Sequence, residues 1–457
     1  MISKNPNISE FNRAYLIGIG GIGMSSLARY FNSKSWAVGG YDKTRTELTQ
    51  ELENEGIEIH YDDLGASIPD KFKDKQKTLV IFTPAVPEKL GELQYLHQNE
   101  FAVYKRAQVL GMITRNTKAL AVAGTHGKTT TSSLLAHILN ESKLKCNAFL
   151  GGISTNLNSN FTSNEGSKLT VIEADEFDHS FLHLNPFASI ITSTDTDHLD
   201  IYENEQMFLE GFQKFANLNS PDGFIIKHAG IDITSKNTLN YGVDCKAHYS
   251  GSNLRATNQA FFFDLKTPDS VWENVELGVP GIHNTENAIA CIAMCSELGL
   301  SEEEIRSALI SFTGVKRRFE YHIRTDNLVF IDDYAHHPTE LKALITSVKL
   351  MYPEQKITGI FQPHLFTRTR DFLDKFALEL SQLDKVILLP IYGAREEPIP
   401  GITSEALLDK ITANNKIVLP PAEAIQDLRG TTTGIILTIG AGDIDQIVAP
   451  IKTVLES

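Results

Sequence analysis

Short apolar segments alternate with segments of helical periodicity along most of the chain. In the first part, strands are predicted at AYLIGIG (14–20), WAVGGYD (36–42) and LVIFTPAVP (79–87), with helices from Met24 and near Glu47. Apolar runs of this length bounded by Gly or Pro are typical of buried strands, and their alternation with helices predicts a parallel sheet with helical crossovers. The first 108 residues are therefore expected to form one α/β domain.

The alternation starts again at KALAVAG (118–124) and continues through LTVIEADE (169–176) and ASIITSTD (188–195). Between about 221 and 281 it gives way to short strands with turn residues, FIIKH (224–228) and AFFFDL (260–265), which predict an antiparallel section on this central sheet. Two helices follow, around 287–298 and 301–312. Ser301 and Glu304 have the spacing of a capping box, which marks the start of the second helix.

A third series of strands begins with LVFIDDYAHHP (328–338) and continues through KITGIFQPH (356–364), KVILLPIYG (385–393) and GIILTIGAGD (434–443). A length of 457 residues agrees with three domains of the usual size, roughly 100–200 residues each. We predict domains at 1–108, 109–323 and 324–457.

Composition narrows the class of protein. A net charge of −15 argues against a broad nucleic-acid surface, because phosphate backbones are held by Lys and Arg. No segment approaches the ~18 apolar residues of a membrane span, and the N-terminal residues have no secretory pattern, so a cytoplasmic protein is expected. The four cysteines form no CxxC pair, which favours reduced, packed thiols over metal binding or disulfides.

A glycine-rich loop, GIGGIG (18–23), follows the first predicted strand and precedes a helix. Gly18, Gly20 and Gly23 fit G-x-G-x-x-G, and Asp42 ends the next strand about 20 residues later, as in a dinucleotide-binding fingerprint. Glycines let the backbone approach a diphosphate at the positive end of the helix. The motif alone is weak, and a tight strand-helix turn without a ligand is the alternative.

A second phosphate-binding pattern, GTHGKTT (124–130), follows the strand at 118–124. Lys128 is placed to reach terminal phosphates and Thr129 to bind magnesium, although Val122 stands where a P-loop has its first glycine. The strands at 169–176 and 188–195 end in the acidic segments EADE and, shortly after, DHLD. Carboxylates at the ends of these strands suit Mg²⁺, which prefers hard oxygen ligands.

Two phosphate-binding loops in one chain indicate two phosphorylated nucleotides. Hydride transfer needs neither a terminal-phosphate lysine nor a magnesium site, so an NAD-dependent oxidoreductase rests only on GIGGIG and Asp42. We expect the first loop to hold the diphosphate of a nucleotide-linked substrate and the second loop to hold ATP.

At this point the sequence resembles the ATP-dependent Mur ligases of bacterial cell-wall synthesis, and the resemblance covers essentially the whole chain. Ten motifs carry it in the family's order: GIGGIGMSSLA (18–28), GTHGKTTT (124–131), EADEFDHSFL (173–182), DTDHLDIY (195–202), GIHNTENA (281–288), GVKRRFE (314–320), DDYAHHPTE (332–340), FQPHLFTRTRDF (361–372), PIYGAREEPIPGITS (390–404) and GAGDID (440–445).

The resemblance implies an α/β fold of three domains. A Rossmann-like N-terminal domain would bind the UDP-substrate, and a central P-loop-type ATPase domain would carry a mostly parallel sheet with an antiparallel section. A Rossmann-like C-terminal α/β domain would bring the amino acid and close over ATP. The motifs look most like those of the member that joins the lactyl carboxylate of UDP-N-acetylmuramate to the amine of L-alanine through an acyl phosphate, in peptidoglycan precursor synthesis.

The resemblance also implies roles in the two phosphate-binding loops. Lys128 would neutralise the β- and γ-phosphates, Thr129 with Glu173 would hold a first Mg²⁺, and His198 would hold a second. The other nucleotide-binding positions of the second loop are Gly124, Thr125, His126, Gly127 and Thr130. On the UDP-substrate side the implied residues are Gly18, Gly20, Gly21, Gly23, Met24, Ser25, Asp42, Thr83 and His126.

Further roles fall in the later motifs. Asn287 would recognise adenine, with a helix cap as the alternative, Arg318 would contact the γ-phosphate, and Asp333 the ribose of ATP. The alanine or the transferring phosphate would be contacted by Tyr334, His336, Arg368 and Arg370. Which of His336 and His337 faces the cleft stays open, and Leu365 replaces a basic residue common in relatives. Other Mur ligases carry a carbamylated lysine where Gln213 stands, beside Lys214, and we predict no carbamylation here.

Three alternatives stay open besides the alanine-adding ligase. One is the recycling ligase that attaches a preformed tripeptide to the same UDP-sugar. A second is a binding or regulatory protein that keeps the fold without the chemistry, and the third is the oxidoreductase named above. The expected partners are small molecules, without nucleic acid or membrane, and the expected state is a monomer or a weak homodimer.

Overall fold

The computed structural model describes residues 8–195, 204–257, 260–394 and 396–457. Within these ranges there are three β-sheets, and the chain divides into two compact units. The first unit comprises Met1–Gly251, Leu265–Trp272 and Glu286–Leu309, and the second comprises Ser252–Asp264, Glu273–Thr285 and Ile310–Ser457.

The first sheet is parallel and has five strands in the order β3-β2-β1-β4-β5. Its strands are β1 (Arg13–Ile17), β2 (Ala37–Tyr41), β3 (Glu58–His60), β4 (Thr78–Phe82) and β5 (Ala102–Lys105). Its helices are α1 (Ile22–Ser33), α2 (Glu47–Asn54), α3 (Gly91–Gln98) and α4 (Arg106–Thr114). The predicted strand-helix alternation is therefore confirmed in this part of the chain.

The second sheet has ten strands in the order β15-β14-β13-β12-β11-β10-β6-β9-β7-β8. The strands are β6 (Lys118–Ala123), β7 (Asn147–Ser154), β8 (Ser159–Thr162), β9 (Leu169–Glu173), β10 (Pro186–Ile191), β11 (Ile225–His228), β12 (Thr238–Val243), β13 (Tyr249–Thr257), β14 (Ala260–Lys266) and β15 (Val271–Leu277). The helices are α5 (Lys128–Glu141), α6 (Glu205–Ala216), α7 (Ile282–Glu297) and α8 (Glu302–Ser311).

The antiparallel section of this sheet starts later than the sequence pattern predicts. FIIKH forms β11, but β11 pairs parallel to β10 and also to β12, so its expected antiparallel pairing was wrong. β13, β14 and β15 are neighbours in the sheet, and the connections between them have two and four residues, which only antiparallel strands can span.

The third sheet has six strands in the order β16-β17-β21-β18-β19-β20, parallel except for β16. Its strands are β16 (Glu320–Arg324), β17 (Leu328–Asp333), β18 (Ile357–Phe361), β19 (Lys385–Leu388), β20 (Asn415–Val418) and β21 (Gly434–Ile439). Its helices are α9 (Pro338–Met351), α10 (Phe366–Leu380), α11 (Ser404–Lys410), α12 (Pro421–Asp427) and α13 (Val448–Leu455).

Three details concern smaller predictions. The capping box at the start of α8 is confirmed, since Ser301 N donates to Glu304 Oε2 at 2.9 Å and Glu304 N donates to Ser301 Oγ at 3.3 Å. All four cysteines are free thiols, and Cys146, Cys291 and Cys295 are buried, as expected. The predicted boundaries after 108 and 323 fall inside α4 and β16 and stay predictions.

Helix α1 is held by a buried polar cluster inside the first unit. Asn160 of β8 is fully buried and donates from Nδ2 to Ser25 Oγ at 2.8 Å and to the carbonyl of Ile22. Its Oδ1 accepts from Arg29 Nη1 at 2.6 Å, and Arg29 also pairs with carboxylates of α2, Glu51 at 3.0 Å among them. Because α1 carries the first glycine-rich loop at its N-terminus, Asn160 fixes that loop relative to the second sheet.

No helix in the described ranges is long and apolar enough to cross a membrane.

Candidate active site

The first glycine-rich loop connects β1 to α1 and is shaped by close approach of neighbouring side chains. Gly18 has φ +83°, and a Cβ there would lie 2.7 Å from Thr83 Cγ2. Asp42 at the end of β2 accepts hydrogen bonds from Gly20 N at 2.8 Å and Thr44 N at 3.1 Å. The carboxylate therefore orders the loop itself, which is a structural role that the fingerprint alone does not reveal.

Next to this loop lies a cavity of about 250 Å³ in the first unit. On one side it is lined by the loop and the start of α1, including Gly21, Gly23 and Met24, together with Thr83. On the other side it is lined by β7 and by the end of β9, where Glu173 and Asp175 lie. The predicted substrate loop and the predicted metal-binding carboxylates thus face one common space. Ser25 is fully buried beneath the helix start and does not line the cavity.

Arg106, the first residue of α4, lines the same cavity, and sequence reasoning missed it. Its guanidinium lies so close to Gly23 that a Cβ there would be 2.5 Å from Nη1, and its Nη2 lies 3.5 Å from Asp175 Oδ2. A cation at this position suits an anionic substrate. The available signal was its place after β5, at the carboxyl edge of a parallel sheet, where α/β folds bind ligands.

The second glycine-rich loop joins β6 to α5, and two of its glycines leave no space for a side chain. Gly124 has φ +134°, and a Cβ there would lie 2.1 Å from Thr192 Oγ1. Gly127 has φ +81°, and its Cβ would lie 2.7 Å from Asn287 Oδ1. The loop is also tied to the end of β10, because His126 N donates to Ser193 Oγ at 2.9 Å. The α5 N-terminus is thus presented by a rigid turn, as phosphate binding requires.

Lys128 starts α5 and is bound by an acidic residue without an assigned role. Its Nζ donates to Gly124 O at 2.7 Å and to the two carboxylate oxygens of Glu176 at 2.9 and 2.8 Å. Burial would lower the pKa of Lys128, but the carboxylates of Glu176, Glu173 and Asp175 outweigh that effect and raise it. Lys128 is therefore a cation at every physiological pH, as a phosphate-binding lysine must be.

The residues predicted to hold Mg²⁺ are hard oxygen donors in suitable surroundings. Glu173 ends β9 beside β6, and its carboxylate fills the space over Gly151, where a Cβ would lie 2.1 Å from Oε1. Thr129 is half-buried in the first turn of α5. Together with Asp175 in the cavity, these groups fit a magnesium ion, which combines carboxylates with phosphate oxygens and waters. His198 lies outside the described residues.

The remaining positions of the second loop serve it in different ways. Thr125 N donates to Ser193 O at 3.2 Å, and Thr130 is buried at the start of α5. His126 is half-buried, with Nε2 3.7 Å from Asp195 Oδ2, and does not line the cavity that contains Thr83. Its predicted substrate contact stays a prediction.

Asn287 is buried and lies directly against the second loop. Its Oδ1 accepts a hydrogen bond from Thr131 Oγ1 at 3.0 Å. Since α7 begins at Ile282, Asn287 sits inside the helix rather than at its start, and the alternative reading as a helix cap was wrong. Its position beside Gly127 agrees with a contact to the nucleotide.

In the second unit, Arg318, Tyr334, His336 and Arg368 form one cluster around His364. The Arg318 guanidinium lies 4.9 Å from the centre of the Tyr334 ring. His336 Nδ1 lies 2.9 Å from Tyr334 O, its ring is 6.1 Å from that of His364, and His364 Nδ1 is 3.4 Å from Arg368 Nη1. The cluster therefore brings together four residues from three motifs. These residues were predicted to contact the alanine or the transferring phosphate.

Burial and neighbouring cations keep both histidines of this cluster neutral. Burial is the main cause that lowers the pKa of His336, and Arg368 adds to it. Burial, His336 and Arg368 lower the pKa of His364 to about 4. Since a carbonyl oxygen only accepts, the proton of neutral His336 is on Nδ1, and Nε2 is its basic nitrogen. His364 was quoted only as part of a motif and its role was missed.

Other residues singled out in the sequence have different partners. Arg370 is exposed and pairs with its neighbour Asp371 at 2.7 Å. His337 caps α9, packing its ring against Phe372, so His336 is the histidine that faces the cluster. Gln213 bonds Thr234 through both its amide atoms, with Nε2 2.9 Å from the carbonyl oxygen.

Asp333 and Arg317 have mainly structural partners. Both oxygens of Asp333 accept backbone hydrogen bonds, from Phe319 N at 2.7 Å and Ala335 N at 2.8 Å. Burial raises the pKa of Asp333 to about 6. Arg317 donates to the carbonyls of Gly440 at 2.7 Å and Gly442 at 3.3 Å and so anchors the loop after β21. A ribose bound by Asp333, as predicted, would have to share the Asp333 carboxylate oxygens with the backbone donors of Phe319 and Ala335.

Comparison with known proteins agrees with this arrangement. Three family models match the chain: "Mur ligase family, catalytic domain" over residues 13–118, "Mur ligase middle domain" over 122–295, and "Mur ligase, glutamate ligase domain" over 317–444. A curated UDP-N-acetylmuramate--L-alanine ligase of Parabacteroides distasonis is 48% identical over 454 residues, covering 98% of both chains.

Solved structures share the fold. The UDP-N-acetylmuramate-alanine ligase of Thermotoga maritima superposes with a TM-score of 0.83 at 28% identity, covering 97% of this chain and 98% of that one. A murein peptide ligase of Psychrobacter arcticus has a TM-score of 0.66 at 22% identity over 97% of this chain and 98% of its own, which shows the fold alone. With three matching family models and a relative almost half identical along its full length, the chain belongs to the Mur ligase family.

Proposed function

We propose that the chain is an ATP-dependent ligase that joins UDP-N-acetylmuramate to L-alanine in peptidoglycan precursor synthesis. The observation that supports this best is the shared cavity. Its walls bring the glycine-rich loop of a nucleotide-linked substrate to the carboxylates beside the phosphate loop. The curated relatives and the Thermotoga maritima structure bear the name of this activity.

The reaction consists of two displacements. A carboxylate oxygen of the UDP-sugar attacks the γ-phosphorus of ATP, ADP leaves, and an acyl phosphate forms. The amine of L-alanine then attacks the carbonyl carbon, and the tetrahedral intermediate expels phosphate. No protein nucleophile is needed, so catalysis rests on positioning and on neutralising charge between two anions.

The residues of the chain divide this work. Lys128 neutralises the terminal phosphates, and Arg106 neutralises the anionic substrate in the cavity. Bound Mg²⁺, held by Thr129 and Glu173 with His198 as ligand of a second ion, would screen charge between the γ-phosphate and the carboxylate. Arg368 is suited to the carboxylate of alanine, and neutral His336 is suited to accept a proton from its ammonium group.

The reaction belongs in the cytoplasm, where ATP and UDP-sugars are available, and we keep a monomer or weak homodimer as the expected state. Phosphate release and product mass are measured with ATP, Mg²⁺ and UDP-N-acetylmuramate, adding L-alanine or the tripeptide in parallel. Release that depends on L-alanine, with one alanyl unit gained by the UDP-sugar, is expected. Release with the tripeptide alone would assign the recycling activity instead, and release with neither would leave a binding protein.

Lys128→Ala is expected to abolish product formation in this assay while the protein stays folded. The matched control is Lys143→Ala, which removes an exposed lysine just after α5. Normal turnover by Lys128→Ala would refute the assignment of the phosphate loop.

A further inference from the structure

Glu176 accepts hydrogen bonds from Lys128, the residue that is expected to bind the phosphates of the nucleotide. An ammonium group has three N–H donors. Within the described ranges, Lys128 Nζ directs them at three oxygen atoms, Gly124 O at 2.7 Å and the two oxygens of Glu176 at 2.9 and 2.8 Å. A phosphate oxygen can bond Lys128 only by taking the place of one of them.

Glu176 is more than a surface partner of this lysine. Its side chain is 1% exposed and that of Lys128 14%, so the pair is shielded from water. An ion pair in such surroundings is screened little, and hydrogen bonds between charged groups are roughly twice as strong as neutral ones. Replacing the pair by a lysine-phosphate contact therefore has a substantial cost, which reduces the free energy of nucleotide binding.

The segment that carries Glu176 is held in place from both sides. Asp175 pairs with Arg106 at 3.5 Å, and Asp178 pairs with Lys105 at 2.9 Å. Asp178 and His179 are consecutive non-glycine residues with φ +52° and +53°, a left-handed conformation that costs energy unless neighbouring contacts maintain it. The two ion pairs supply such contacts, so Glu176 has a defined position rather than a chance rotamer.

We propose that Glu176 competes with the phosphates of the nucleotide for Lys128 and is exchanged for them on binding. Glu176 is then a positioning residue that weakens nucleotide affinity and speeds release of ADP. The proposal rests on the proposed function, since it requires that ATP and ADP bind at the loop that contains Lys128.

The test uses isothermal titration of the full-length protein with Mg-ADP, Mg-ATP and, as a folding control, UDP-N-acetylmuramate. Glu176→Gln keeps the shape and one acceptor but removes the charge, and we expect the Kd for both nucleotides to fall about tenfold, while the Kd for the UDP-sugar is unchanged. Stopped-flow release of ADP should slow by a similar factor. Glu165→Gln is the matched control, because it makes the same substitution at an exposed carboxylate of the first unit that lies outside the segment that carries Glu176.

The same substitution in a variant without Lys128 distinguishes the proposed exchange from simple charge repulsion between Glu176 and the phosphates. In Lys128→Met, adding Glu176→Gln should change nucleotide affinity less than twofold, because no lysine is left to release. Glu176→Asp keeps the charge but withdraws the carboxylate, and it should also tighten nucleotide binding, which gives a second variant if the first fails to fold.

Equal or weaker nucleotide affinity of folded Glu176→Gln would overturn the exchange, and so would equal tightening in the Lys128→Met background or by Glu165→Gln. If the unaltered protein binds the UDP-sugar but neither nucleotide, the proposed ATP-dependent function is wrong, and the proposed exchange is wrong as a consequence. The two failures are thus distinguished by the unaltered protein alone.

Discussion

Asp332 in β17 should make the second unit less stable as the pH rises. Its side chain is 2% exposed, and burial raises its pKa from an ordinary value of 3.8 to about 7. This occurs although Thr438 donates a hydrogen bond to Oδ1 at 2.6 Å. The titratable and charged groups that face the carboxylate are Arg317, Glu320, His322 and Asp333.

The magnitude follows from the difference between the two pKa values. Below about pH 3 the folded and unfolded forms both carry the proton, and no stability is lost. Between about pH 4 and 7 the unfolded chain releases the proton first, so the free energy of unfolding falls as the pH rises. Since one pKa unit corresponds to about 1.4 kcal/mol, the range from 3.8 to about 7 sets a limit of about 4 kcal/mol, of which about 2–3 kcal/mol is lost between pH 5 and 8.

Asp332→Asn removes the charge and keeps the oxygen that accepts from Thr438. Its melting temperature should exceed that of the unaltered protein by an amount that grows from pH 5 to pH 8, reaching several degrees. Differential scanning calorimetry on both proteins across this range provides the measurement, with Asp326→Asn, an exposed carboxylate in the same hairpin, as the control. A difference that is constant or shrinks with pH would refute the reasoning about burial.

Three further predictions concern the site. Gly151→Ala should lower kcat at least a hundredfold without unfolding the protein, because the new Cβ displaces the Glu173 carboxylate. A normal rate with a normal requirement for Mg²⁺ would contradict this. Asn160→Ala should destabilise the protein by about 2–3 kcal/mol, because buried polar groups of α1 lose their hydrogen-bond partner. It should also raise the KM for the UDP-sugar more than that for ATP. A calorimetric scan and initial-rate kinetics measure the two effects. Arg368→Ala should raise the KM for L-alanine roughly 10–100-fold, while Arg370→Ala leaves it unchanged. Equal effects of the two substitutions, measured by varying the L-alanine concentration, would refute the assigned positions.

The alternation of apolar strands and helices is sufficient to predict the three sheets and both glycine-rich loops. Such loops occur at the carboxyl ends of parallel strands, and local pattern identifies those ends well. Pairing direction was missed at β11 because its apolar run is the same whichever neighbour it takes.

The residues that sequence reasoning missed are the ones that act only through contacts between distant segments. Arg106 reaches Gly23 and Asp175 across more than 65 positions, and Glu176 meets Lys128 from 48 positions away. Each residue follows a strand, which places it at the edge where ligands bind, but this position does not reveal the distant residue that it contacts. The family resemblance led to Asn287, but only the structure shows it inside a helix and against Thr131.

The cavity beside the first glycine-rich loop has a consequence for inhibition. One wall belongs to the first glycine-rich loop and the opposite wall carries Glu173 and Asp175, so a single compact molecule in this cavity can contact both. Under the proposed function, such a molecule would compete directly with the UDP-sugar and would also occupy the carboxylates that are expected to serve ATP. Resistance by substitution at this wall would then be costly, because exchange of Glu173 or Asp175 would remove carboxylates that the proposed reaction uses.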